Sequence, residues 1–228
     1  MNQIEKVDRF RAKNRDNRVW YSGAVHILFN ATCLIGTTIG SLFQISDLKP
    51  LELFTIPVML IAGNLAVYLI HRYPLHTKYP YIHKGSYGEH TLFHHRFYTN
   101  ENFQVVKKED VDTNSLFFPP VVVIVFCLIF IPSLYFILNL FLPTNIVFLA
   151  LGMSSFYFIL YETVHYTSHL PENHWVLRIS HLQRMRQHHM DHHNPKHMSS
   201  SNFNIVFPLF DHVFGTCRRS WLNEKYNY

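Results

Sequence analysis

The chain has 228 residues and a formal net charge of +5, yet only 15% of its side chains are charged while 16% are aromatic. Soluble domains carry roughly 25% charged residues, so the composition leans away from that class. The basic excess is not interleaved with any nucleic-acid-binding motif, so no nucleic-acid partner is expected.

Residues 1–18 are polar and carry Lys6, Arg9, Arg11, Lys13, Arg15 and Arg18. The apolar run that follows, 19–46, contains no Asp, Glu, Lys or Arg. It is too long for the core of a cleaved signal peptide and long enough for the roughly 20 residues that cross a bilayer. His26 lies inside it, where a hydrogen bond is expected rather than a metal bond. A second uncharged run begins at 53 and ends on His71, and Pro74 should kink the helix where it leaves the membrane. Residues 113–161 are again uncharged and too long for one helix; Pro143-Thr144-Asn145 is the natural turn. Pro119, Pro120 and Pro132 should make its first half irregular.

The reading is therefore an all-α integral membrane protein, one domain over 1–228, with spans at about 19–46, 53–71, 115–142 and 145–164. Of the 20 Lys and Arg, all but Lys49 fall on the side that holds the N-terminus, the polar regions and the C-terminus. The positive-inside rule makes that side cytosolic, in a bacterial inner membrane or the endoplasmic reticulum. Cys33, Cys127 and Cys217 are far apart and form no C-x-x-C, so neither a disulfide framework nor a zinc knuckle is expected.

The polar regions 71–112 and 162–216 carry ten of the chain's 17 histidines in four spaced groups. These are His71 and His76; His90, His94 and His95; His165 and His169; and His189, His192 and His193. On a helix, residues three and four apart share a face, so His189 can converge with His192 or His193. His192 and His193 point about 100° apart and suit two neighbouring ions, each taking one. Ten ligands over two ions give about five each, too many for tetrahedral zinc and suited to iron with a position free for O2. Zinc nevertheless binds such imidazole sets well and is expected in some purified preparations. Glu89, Glu162 and Asp191 lie close enough in sequence to accept the second imidazole N–H.

HRYPLH at 71–76, HTLFHH at 90–95, HYTSH at 165–169, HHMDHH at 188–193 and NFNIVFPLFDHVFGT at 202–216 together resemble the fatty acid hydroxylase superfamily, which includes sterol desaturases and sphingolipid fatty acid hydroxylases. The resemblance implies four transmembrane helices with a cytosolic helical cap, and a di-iron centre held by the ten histidines. It also implies O2 as co-substrate, a lipid substrate from the bilayer, and hydroxylation or desaturation chemistry. Electrons are expected from an external donor of cytochrome b5, ferredoxin or reductase type. Many members have two residues, not three, before the paired histidines of the second motif, which leaves His83 as an alternative to His90. His181 and His188 stand as further alternatives, with His197 and His212 at the surface or behind the ligands. A membrane metal transporter or metal-binding membrane protein is the competing reading. A transporter would place His, Asp or Glu midway along its spans, and here the clusters stand at span ends.

Overall fold

The computed structural model describes residues 3–16, 22–79, 83–105 and 115–219, and every regular element among them is helical. In chain order these are α1 Gln3–Asp16, α2 Gly23–Leu42 and α3 Pro50–Leu75. Next comes α4, a π-helical His83–His94 running into one α-turn at His95–Phe97. Then follow α5 Pro120–Asn139, α6 Thr144–Ser168, α7 Ser180–His192 and α8 Leu209–Val213. Helices α2, α3, α5 and α6 are long and apolar enough to cross a membrane.

Their ends differ from the expected spans for local reasons. Ser22 caps α2, accepting from the Val25 amide, so the helix starts after the aromatic Trp20-Tyr21. Pro50 occupies the first turn of α3 and Glu52 caps back onto the Lys49 amide, which starts that helix earlier than its apolar run. Pro119 and Pro120 fix the start of α5, since a proline needs no donor there. The chain turns between α5 and α6 at 140–143, slightly earlier than the expected 143–145; Thr144 and Asn145 already open α6, which runs on to Ser168.

Two of the prolines inside the spans coincide with π-turns, whereas Pro57 lies near the start of α3, just past its first 3-10 turns. Pro74 lies within the π-turn His71–Leu75, and Pro132 follows the π-turn Phe126–Phe130. A widened turn accommodates the missing N–H without breaking the helix.

The chain groups into two compact units, Ser22–Gly63 with Phe117–Glu162, and Met1–Tyr21 with Asn64–Leu116 and Thr163–Tyr228. In the first, His26 Nε2 and Asn30 Nδ2, one turn apart on α2, meet the Phe118 carbonyl at 2.8 and 2.9 Å. His26 thus makes the expected hydrogen bond. Glu162 accepts the Phe118 amide at 3.1 Å, so both backbone groups of that residue are held. Gly63 is required where α3 meets α6, because a Cβ there would lie 2.5 Å from the Tyr157 ring. Asn145 joins the loops at one end, donating to Ser46 O at 2.8 Å and to Glu52 at 2.9 Å. The large apolar side chains Leu128 and Phe141 are 71% and 78% exposed, which is costly in water and costless against lipid.

The second unit is organised by polar side chains that grip backbone. Arg11 of α1, only 2% exposed, donates to Phe97 O and Asn102 O, both at 2.8 Å, and lies over the Phe97 and Tyr98 rings. One basic residue of the N-terminal segment is therefore structural. Past α7 the chain closes a loop: Asn202, at φ 59°, donates from its backbone N–H to Thr216 O. Its side chain donates to His188 O and Arg218 O. Asn is among the few residues that adopt this left-handed conformation without a large steric cost.

Candidate metal centre

The ten histidines lie in two buried groups of five. One consists of His71, His76, His90, His95 and His192, the other of His94, His165, His169, His189 and His193; within each, the ligand atoms lie within 4.8 Å of one another. The sequence neighbours His94 and His95 fall into different groups, as do His192 and His193. The groups share a wall, with the His95 and His193 rings stacked at 4.1 Å.

Local helix geometry explains how each segment supplies its share. At the end of α7, His189 and the C-capping His193 are four apart and their Nε2 atoms approach to 3.1 Å, while His192 belongs to the other group. In α4 the π-winding, with its i→i+5 bonds, takes about one more residue per turn than an α-helix. That absorbs the third residue of HTLFHH, so that His90 still reaches His95 at 3.2 Å. The His83 side chain lies outside the described residues.

The nitrogens that face each other are bare. Nδ1 of His94, His165, His169, His192 and His193 donates to the carbonyls of Ser115 (2.7 Å), Leu116 (3.0 Å), Phe103 (2.8 Å), Ser201 (2.8 Å) and Tyr98 (2.6 Å). His71 Nδ1 donates to Phe203 O. A carbonyl can only accept, so each of these imidazoles carries its proton on Nδ1 and presents a lone pair at Nε2. His76 is fixed similarly: Thr91 spends its hydroxyl proton on Leu75 O at 2.6 Å and accepts from His76 Nδ1 at 3.2 Å.

The Nε2 atoms then stand 3.2 Å apart in His94–His193 and His94–His165, and 3.0 Å apart in His76–His192. Facing lone pairs repel, so a shared cation is the chemistry this donor set fits. Bonds of about 2.1 Å to imidazole put neighbouring ligand atoms about 3.0 Å apart in a square-pyramidal or octahedral shell, against about 3.4 Å in a tetrahedral one. The observed spacings match the former more closely.

Burial, reinforced by neighbouring imidazoles, holds His90, His95, His189, His192 and His193 well below the ordinary range of histidine and brings His94 down to about 4. Neutral imidazole is the form a metal needs. An unfolded chain protonates these groups below their ordinary value of 6.5, whereas the folded chain resists until far lower pH. Their stabilisation is therefore complete above pH 6.5 and is lost as pH falls towards 4. His188 has the opposite sign: burial alone would lower it, but Asp211 raises it, so its contribution is full below 6.5 and fades as pH rises through its folded value. The depressed set is larger, so the metal-free protein should melt at steadily lower temperature as pH falls from about 6.5 to 5. A melting temperature that is flat or rises across that range would contradict this balance.

Of the three carboxylates expected behind the ligands, Glu89 is exposed, Glu162 serves the Phe118 amide, and Asp191 is buried on α7. The hydrogen bonds to six of the ten imidazoles come from backbone carbonyls instead, which orient the ring without burying a charge. His181 donates to Val206 O at 2.8 Å, and His188 to Asp211 at 3.0 Å; neither joins a group of five. His197 is half-buried and His212 exposed.

Asp211 was not anticipated. It is fully buried and accepts the amides of Phe203 and Asn204 at 2.8 Å, the Thr216 hydroxyl at 2.7 Å and His188. Burial alone would raise its carboxyl, but those donors hold it below the usual carboxylate range. The available signal was Asn202, Asn204 and Asp211 standing as polar residues in the apolar stretch 202–216.

No family model matches the sequence, and no curated protein matches it. Among solved structures the chain is similar to one described as full-length scs7p with only the hydroxylase domain visible. The TM-score is 0.59 at 18% identity, over 87% of this chain and 67% of that one. At that identity the likeness concerns the fold, and it is the fold that the resemblance to fatty acid hydroxylases implies.

Proposed function

We propose that this chain is a membrane-embedded, O2-dependent oxidoreductase of the fatty acid hydroxylase superfamily that hydroxylates or desaturates a lipid at a di-iron centre. The observation that carries the reading is the convergence of ten buried histidines into two adjoining groups of five, with seven of them held so that the Nε2 lone pair turns inward. The fold shared with a hydroxylase domain supports it.

A pair of iron ions held there supplies O2 activation and the oxidising power that breaking an unactivated C–H bond requires. The chain's own groups do the rest. The carbonyls of Ser115, Leu116, Tyr98, Phe103, Ser201 and Phe203 keep each proton on Nδ1, so no ligand must lose one before binding. Phe103 and Phe203, 3% and 0% exposed, pack against the histidine rings and keep bulk water out. Hydroxylation consumes O2, two electrons and two protons, leaving a hydroxyl on the lipid and one water; desaturation takes two hydrogens from the lipid and leaves two waters. The two electrons come from an external donor of cytochrome b5, ferredoxin or reductase type.

The test strips the purified protein of metal, reloads it with Fe2+, and supplies a reductase system, O2 and a membrane lipid extract. An oxidised lipid formed only with iron and O2, and absent with Zn2+, is expected. Iron-loaded protein that oxidises no acyl, sphingolipid, sterol or carotenoid species would end the oxygenase reading. Zinc in a preparation would not, because Zn2+ stands above Fe2+ in intrinsic affinity for such sites.

The proposed topology places both termini and both histidine regions in the cytosol, resting on the distribution of Lys and Arg. With native cysteines replaced, Thr144→Cys should be labelled by an impermeant reagent from outside and Ser199→Cys only after permeabilisation. The reverse pattern, or labelling of both from one side, would overturn it.

A further inference from the structure

The two groups of histidines are not held in the same way. In the group of His94, His165, His169, His189 and His193, the Nδ1 partners are carbonyls of Ser115, Leu116, Phe103 and Tyr98, all outside the C-terminal loop. In the other group, His71 and His192 donate to Phe203 O and Ser201 O, both on that loop.

The path of the loop is set by one carboxylate. Asp211 Oδ1 accepts the Phe203 amide and the Thr216 hydroxyl, while Oδ2 accepts the Asn204 amide and His188 Nε2. Asn204 returns the grip, accepting the amides of Phe210 and Asp211 at 2.9 and 3.2 Å and donating to Asn64 O on α3 at 2.9 Å. The bond from the Asn204 amide thus fixes the peptide whose carbonyl orients His71, and the bond from the Phe203 amide fixes the peptide just before it. The same turn carries Ser201, and Asn202 ties it to His188 O.

We propose that Asp211 is a positioning residue for one metal position only, the one formed by His71, His76, His90, His95 and His192. It acts through the Phe203 and Ser201 carbonyls and touches no ligand itself. The inference rests on the reading of the ten histidines as two metal shells and adds that the shells are supported unequally.

Asp211→Asn separates this role from general support. Asparagine has one acceptor oxygen, so either the Phe203 and Thr216 donors or the Asn204 and His188 donors lose their partner. Chelator-stripped wild type and variant, in detergent, are titrated anaerobically with 57Fe2+ and followed by Mössbauer spectroscopy. Wild type should bind two irons per chain. The variant should weaken one by about 10- to 100-fold, the usual cost of losing an outer-shell partner, and bind the other as wild type does.

Both irons retained at wild-type affinity, or both weakened in parallel, would overturn the proposal. If Asp211→Asn yields no monodisperse protein, Thr216→Val decides, since it removes a single donor. It should weaken one iron about threefold and spare the other, and equal effects on both would again overturn the proposal. Wild type binding fewer than two irons would instead sink the metal reading on which the proposal stands.

Discussion

His189→Ala and His193→Ala are each expected to abolish lipid oxidation while the protein still reaches the membrane. Insertion is decided by the apolar spans, whose backbone bonds close within each helix, and both histidines lie outside them. At the centre the loss is severe. His189 Nε2 stands 3.1 Å from those of His169 and His193, so removing it opens the shell from one side. Outer-shell changes alone cost about 10- to 100-fold in metal affinity, so loss of a ligand should exceed that and bring turnover to background. His197→Ala, at a half-buried position outside both groups, should keep most activity. His26→Ala removes one of two donors from the Phe118 carbonyl, which keeps Asn30, and should cost about 0.5–1.5 kcal/mol of stability without touching the metal. Near-normal turnover in either ligand variant would strike that residue from the shell.

His192→Ala and His193→Ala, adjacent in sequence, should damage different metal positions. His192 Nε2 pairs with His76 at 3.0 Å, whereas His193 Nε2 pairs with His94 at 3.2 Å. Each variant should retain one iron with wild-type affinity and lose the other by more than about 100-fold, and the iron retained should differ between the two. His94→Ala and His95→Ala should repeat the pattern from α4. Spectra of the residual iron that are identical in the His192 and His193 variants would mean that the two groups do not act as separate shells.

The spans and the histidines were readable because each depends on side-chain identity over a short stretch. An uncharged run such as 113–161 announces membrane helices by composition, and Pro143-Thr144-Asn145 marks the turn by its own conformational limits. The H-x-x-H-H spacing at 189–193 likewise follows from helix periodicity. What was not readable depends on groups that every residue carries. The imidazoles are oriented by the carbonyls of Ser115, Leu116 and Tyr98, and a carbonyl leaves no trace in sequence, whereas the carboxylates of Glu89, Glu162 and Asp191 do. The π-turns at His71–Leu75 and His83–His94 are set by tertiary demand, the latter by the need to bring His90 and His95 to one point. Arg11 looked like part of a basic segment because its acceptors, Phe97 O and Asn102 O, lie more than 80 residues away.

The most direct test of the account is the iron shell itself. Stripped protein is titrated anaerobically with Fe2+, and X-ray absorption is recorded at saturation. Two irons per chain, each with about five nitrogen neighbours near 2.1 Å as imidazole gives, are expected from the two groups of five histidines. Saturation at one iron or none, or a shell made mainly of oxygen, would contradict a dinuclear all-histidine centre.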